Sequence, residues 1–386
     1  MTKRSRLLLL ACVLFTGFSL RPPIISITPL IEIIRSDLNL PASVAGLITT
    51  IPLVAFACLS PMGGALAVRF GLGKILRFAL AMITVGIFVR SWLGVPGLML
   101  GTLMVGIGIA FGNVLLPAVV KSRFPDRVGP MTSMYATAMN GLAGVASAMS
   151  VPLAVRVGLG WRTALLLWSV PAMVGVVLWH RNRELRLEES SAKRDKPIWR
   201  NKTAWWVSFY MGFQSLFYFS FMAWAPSVLQ AKGFDAETAG YMVTVYQLIG
   251  IPGNLLMPIF AAKRPNQRGL ALIIGLAYTL GLAAFWAAEG AGILLVTLVV
   301  MGVGTGACFS YCMTLMSLRA GSPATAAKLS GMSQAVGYII AAVGPVLEGR
   351  LVDITGSWNA SLFCMLLAGI GITLLGQKVC KPVIIE

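Results

Sequence analysis

Apolar runs long enough to cross a bilayer recur twelve times along this chain, and no other feature constrains its fold as strongly. They lie near 7–20 (continuing past Arg21 to 34), 42–68, 75–93, 97–120, 130–153, 161–179, 204–228, 239–261, 269–288, 291–318, 329–347 and 359–376. A spanning helix needs about 20 such residues. Hydrocarbon offers no water to backbone N–H and C=O groups, so each run is read as a helix that satisfies its own backbone. Only 11% of the 386 residues are charged, too few to coat a soluble globule of this size. The expected fold class is an all-α membrane protein with twelve transmembrane helices. The basic start and first apolar run resemble a secretory leader. However, the run continues through Pro22-Pro23 without a small-residue cleavage site, and it is read as the first span.

The net charge of +18 could suggest a nucleic-acid partner, but the placement of the charges gives another reason for it. Loops on the N-terminal side carry 24 of the 31 Lys and Arg residues and loops on the opposite side carry six, which leaves Arg21 inside a span. This asymmetry is the positive-inside pattern. It predicts a multi-pass protein of a bacterial inner membrane with both termini cytoplasmic, and no nucleic-acid partner. Five of the six cysteines lie within spans and none in an external loop, so no disulfide framework is expected. Cys308 and Cys312 sit one helical turn apart, but His180 is the sole histidine and lies elsewhere. No metal and no cofactor is expected.

The longest hydrophilic stretch falls between spans six and seven and divides the chain in half. The organisation predicted is an N-terminal six-helix bundle over 1–180, a cytoplasmic linker over 181–203 and a C-terminal six-helix bundle over 204–386. Internal similarity supports a duplication. Ala45-Gly46 answers Ala239-Gly240, Gly106-x-Gly108 answers Gly302-x-Gly304, Met134 answers Met332, and Trp161 answers Trp358, at offsets of 194, 196, 198 and 197.

Arg21 is the outstanding candidate site residue. It falls near mid-membrane, where a charge costs from about 3 kcal/mol upward on insertion scales. No Asp or Glu lies inside the twelve spans, and Glu32 and Glu348 fall near external ends. Either backbone carbonyls and amides hold Arg21 structurally, or its counter-ion is an anionic substrate whose oxygens match the planar guanidinium. Pro22 and Pro23 remove two backbone donors directly after it, which predicts a broken helix beside a binding site or a kink needed for packing. Asn113, Asn140, Gln214, Tyr218, Gln247, Tyr311, Gln334 and Tyr338 add neutral polar groups at mid-depth on six spans. Each could be helix–helix glue, but as a set they suggest a polar central cavity. Span seven adds a run of aromatics that would suit a neutral, drug-like compound. The Gly108/Gly112 and Gly302/Gly306 pairs have the small-xxx-small spacing of closely packed helices, not that of a phosphate-binding loop.

Twelve spans, a six-plus-six repeat and the loop Gly64-Ala65-Leu66-Ala67-Val68-Arg69-Phe70-Gly71-Leu72-Gly73-Lys74 resemble the major facilitator superfamily. Val68 stands where that family's signature has an aspartate, which removes the carboxylate of its usual gating salt bridge. Leu20-Arg21-Pro22, Gly46-Leu47-Ile48-Thr49-Thr50-Ile51-Pro52-Leu53 and Gly112-Asn113-Val114-Leu115-Leu116-Pro117 are similar to the cyanate/nitroimidazole transporter branch. The resemblance implies a secondary transporter, not an enzyme, that moves a small molecule by alternating access and works as a monomer in the lipid bilayer. The expected substrate is a small anion or oxyanion-like compound held by Arg21. Export of neutral nitroimidazole-type or other drug-like compounds is the alternative.

Overall fold

The computed structural model describes residues 3–40, 42–182 and 197–385. Most of the linker expected over 181–203 therefore lies outside the described residues. Among those described, regular structure is helical apart from a single bridge between Ala320 and Ile385.

The first span is built in pieces: α1 (Lys3–Leu20), α2 (Pro22–Ile25), a 3-10 turn at Thr28–Leu30, and α3 (Ile31–Leu38). Next come α4 (Ala42–Phe70), α5 (Leu72–Trp92), α6 (Gly94–Arg123) and α7 (Val128–Val151). The sixth span divides into α8 (Gly160–Leu166) and α9 (Val170–Arg181). The rest of the chain forms α10 (Lys202–Ala231), α11 (Ala236–Leu248), α12 (Gly250–Lys263), α13 (Arg268–Ala287), α14 (Ala291–Leu318), α15 (Pro323–Thr355) and α16 (Asn359–Val379).

Eleven of these segments among the described residues are long and apolar enough to cross a membrane. The twelfth expected span, over 204–228, forms as the 30-residue α10. It is less apolar than the others because Trp, Tyr, Gln and Ser interrupt its aliphatic residues. Turns between helices use glycine where the backbone must turn left-handed. Gly71, between α4 and α5, has φ 97°, a conformation that a Cβ disfavours.

The chain divides into two compact units. One comprises Met1–Pro125, Met134–Lys193 and Ser322–Gly331; the other comprises Asp126–Ser133, Arg194–Gly321 and Met332–Glu386. In the first unit α6 packs along α4 and α5, and α9 packs along α1 and α5. In the second, α14 packs along α12 and α13, and α16 packs along α10 and α13. Small residues allow these approaches. A Cβ on Gly108 would overlap the Ala79 carbonyl on α5, and one on Gly306 would overlap the Gly250 carbonyl on α12. The glycine pairs on α6 and α14 are therefore packing surfaces.

Candidate functional site

In the first unit, α1 ends at Leu20 and α2 begins at Pro22, so Arg21 stands in the break itself, with φ −116° and ψ −41°. The two prolines contribute no N–H, and the Arg21 carbonyl instead accepts from Ile24 and Ile25, each at 3.1 Å. Both prolines are buried, whereas Arg21 is half-buried. Its Nη1 donates to Asn140 Oδ1 on α7 at 2.8 Å. The Asn140 amide is itself oriented, because its Nδ2 donates to the Ala136 carbonyl one turn earlier at 2.8 Å.

This pairing follows from how α1 and α7 meet. A Cβ on Gly17 would lie 2.9 Å from the Tyr135 carbonyl, so the two helices touch there through backbone. About one turn further along each helix stand Arg21 and Asn140. Of the two explanations for Arg21, an amide partner is thus present. An amide is neutral, so the bond to Asn140 orients the guanidinium without itself removing the positive charge. Asn113 is half-buried on α6, next to Gly112, against which the Leu20 side chain packs.

Arg90 is a functional candidate that hydropathy places wrongly. Its position near the end of the third run assigned it to an external loop. The structure places it within α5, 1% exposed, with Nη1 donating to the Pro23 carbonyl at 2.6 Å. Nε and Nη2 make no hydrogen bond. A Cβ on Gly101 of α6 would overlap both the Gly86 carbonyl and the Arg90 backbone nitrogen, so the helix pair closes tightly around this residue. Arg90 thus satisfies a carbonyl at the break two residues from Arg21. A signal was available in the sequence: Ile83, Ile87 and Arg90 follow one another at helical spacing on the buried face of α5.

In the second unit, α10 and α15 carry the same pattern, Gln-x-x-x-Tyr. Gln214 and Tyr218 lie on α10, Gln334 and Tyr338 on α15, each pair one turn apart, and all four are buried. Phe219 joins the helices: its ring centroid is 5.3 Å from that of Tyr218 and 6.3 Å from that of Tyr338. Gln214 Oε1 accepts from Ser215 at 3.3 Å. Gln247 is half-buried beside the break between α11 and α12, where Asn254 Nδ2 donates to the Gly250 carbonyl at 3.2 Å.

Tyr311 is placed apart from these groups. It is fully buried, its ring meets Tyr210 edge-on, and its hydroxyl donates to Gln267 Oε1 at 3.2 Å. The same oxygen accepts from Arg319 Nη2 at 2.6 Å, and Arg319 also donates to the carbonyls of Val379 and Cys380. Burial lowers the Arg319 pKa from the ordinary arginine value. Tyr311 therefore belongs to a network that ties the α14 end to the chain terminus, and its hydroxyl is committed there.

These features define the class: a polytopic helical membrane protein with a mid-span cation at a broken helix and amide and phenol groups within its spans. The family model of the Major Facilitator Superfamily matches residues 7–345, and the chain belongs to that family. It is similar to the 2-nitroimidazole transporter of Escherichia coli (strain K12), 37% identical over 93% of this chain and 92% of that one. It is also similar to the cyanate transport protein CynX of the same organism, 28% identical over 91% of each. The proton:xylose symporter XylE, solved with 6-bromo-6-deoxy-D-glucose, shares the fold with a TM-score of 0.77 at 14% identity, over 98% of this chain and 96% of that one. The chain is a multi-pass secondary transporter of a small molecule, not an enzyme, and within the family it resembles the cyanate/nitroimidazole branch.

Proposed function

We propose that this carrier moves a small anion or oxyanion-bearing compound by alternating access, with Arg21 contacting the oxygens. The observation that carries this reading is the half-buried Arg21 guanidinium, held at a helix break by the neutral Asn140 amide. A charge at that depth is costly, and an anionic substrate beside it would offset part of that cost. A planar guanidinium can offer two parallel N–H donors to a carboxylate, nitrate or nitro group. The relatives' names mention cyanate and 2-nitroimidazole, and both compounds carry electron-rich atoms that such a donor pair recognises. Asn140 and Asn113 act with Arg21 in the first unit, while Gln214, Tyr218, Gln247, Gln334 and Tyr338 are the substrate-binding candidates of the second.

The remaining assignments are part of the same proposal. Residues 1–180 and 204–386 are the functional halves, joined by 181–203. Both termini face the cytoplasm of a bacterial inner membrane, following the Lys and Arg asymmetry. The carrier works as a monomer.

A second reading, export of neutral nitroimidazole-type compounds, is favoured by the aromatic surface of α10 and by the 37% identical relative. Thermal unfolding of the purified protein in detergent separates the two. Cyanate, nitrate, short carboxylates and 2-nitroimidazole would each be added to wild type, Arg21→Gln and Arg21→Lys. A ligand that binds the native state raises its apparent stability by mass action. Stabilisation of wild type by an anion, lost in Arg21→Gln and weakened in Arg21→Lys, supports the anion reading. Equal stabilisation of wild type and Arg21→Gln by 2-nitroimidazole alone overturns it in favour of export.

A further inference from the structure

Glu348 was expected just beyond the end of a span. The structure carries α15 on to Thr355, so that Glu348 lies about two turns inside the helix. It is 1% exposed, and its Oε2 makes no hydrogen bond. It is the single buried acid among the described residues. The side chain of Glu32, the other acid expected near a span end, lies outside the described residues.

The groups facing Glu348 are neutral at ordinary pH. From α10 come Ser220, against which Gly344 packs, and Trp224, against which Gly349 packs. From α16 come Ser361, whose Oγ donates to the Glu348 carbonyl at 2.8 Å, and the Cys364 thiol. No Lys, Arg, Asp or Glu occurs in α10 between 216 and 229, or in α16 between 359 and 376. On its own helix the nearest charges, Arg350 and Asp353, are exposed. A buried carboxylate without a cation is far less favourable than the neutral acid. The neutral acid in turn gains little for the fold, because one of its oxygens bonds nothing. An apolar residue would pack there at lower cost, so the carboxyl calls for a role other than stability.

A cleft of about 680 Å³ is lined by Trp224 on α10 and by Pro345, Val346, Gly349, Arg350, Asp353 and Ile354, which flank Glu348 in sequence on α15. Glu348 adjoins Gly349 of that lining in sequence.

We propose that Glu348 is the proton-binding group that couples this transporter to a proton gradient. A proton released by hydronium forms the O–H bond on the carboxyl, and the neutral form is compatible with the buried position seen here. When transport exposes the group, the O–H bond breaks, the proton passes to water and the carboxylate remains. This rests on the chain's being a secondary transporter, and not on the identity of its substrate.

Two measurements test it. Infrared difference spectra of the purified protein in H₂O and D₂O report a protonated carboxyl directly, with no substrate required. The expected result is a carboxylic acid C=O band at neutral pH that shifts in D₂O and is absent in Glu348→Gln. In proteoliposomes with labelled cyanate and 2-nitroimidazole as probes, an imposed pH gradient should drive accumulation in wild type. Glu348→Gln should lower that accumulation at least tenfold while exchange at equal pH stays within about twofold. Absence of the band from wild type, or gradient-driven accumulation by Glu348→Gln equal to wild type, overturns the proposal. If wild type moves neither probe, the substrate reading has failed, and the infrared band alone supports or refutes Glu348.

Discussion

Replacing Arg90 by methionine tests how the break at Arg21 is held. The substitution keeps most of the side-chain length and removes the guanidinium. It forfeits the bond from Nη1 to the Pro23 carbonyl, a charged donor at 2.6 Å, which is worth about 1.5–3 kcal/mol. It also removes two buried donors, Nε and Nη2, that bond nothing, each a cost of about 1–3 kcal/mol in the wild type. The Pro23 carbonyl left unpaired adds a further cost of about 1–3 kcal/mol, which brings the opposing effects to similar size, so Arg90→Met should change folding stability by no more than about 1 kcal/mol. Arg90→Ala adds a cavity to the same loss, and large-to-small changes at buried sites cost about 2–5 kcal/mol.

Binding should respond differently. With its carbonyl released, the Pro22–Pro23 turn loses a constraint two residues from Arg21, and preorganisation of the guanidinium falls. A tenfold loss of affinity corresponds to about 1.4 kcal/mol, a reasonable size for one lost positioning contact. The assay is thermal unfolding in detergent, with and without a stabilising anion, on wild type, Arg90→Met and Arg90→Ala. The expected pattern is near-wild-type unfolding for Arg90→Met without ligand and a clear fall in ligand stabilisation. If Arg90→Met unfolds as early as Arg90→Ala, the guanidinium is a net stabiliser and its unmet donors do not carry the cost assigned to them. If it unfolds and binds like wild type, Arg90 does not position Arg21.

Four further substitutions probe the structure. Asn140→Asp puts a carboxylate 2.8 Å from Arg21 Nη1, so an internal ion pair competes with any anion; the folded protein should lose anion-induced stabilisation, whereas Asn140→Ala should only weaken it, both measured by ligand titration of the unfolding temperature. Gly306→Ala forces a methyl onto the Gly250 carbonyl and should destabilise by about 1–3 kcal/mol. Gly141→Ala, in a helix and with open space at its Cβ, should instead stabilise by about 0.5–1 kcal/mol in the same unfolding assay.

The fold was legible because its main determinant is a sum. A run of about 20 apolar residues needs only the right total to be a helix in hydrocarbon, and α4, α5, α6, α13, α14 and α16 form close to where those totals place them. The break at Arg21 was legible for a local reason, since two adjacent prolines cannot continue the hydrogen-bond ladder whatever surrounds them. The Asn140 partner was not, because which of several mid-depth amides meets Arg21 depends on the contact of Gly17 with Tyr135, 118 positions away. Arg90 and Glu348 show where summed hydropathy misleads. Both sit where an apolar run ends, and a window reads such a charge as the start of a loop. A helix does not stop at the last apolar residue, and what decides the environment of the next few is their angle around its axis. Ile83, Ile87 and Arg90 share one face of α5, and Ala341, Gly344 and Glu348 share one face of α15, each face buried. A charge that continues a buried stripe at helical spacing is carried inward with it, whatever the hydropathy of its window. Those two positions, one completing the break beside Arg21 and the other a buried acid, are among the described residues' buried ionisable groups that packing alone does not explain.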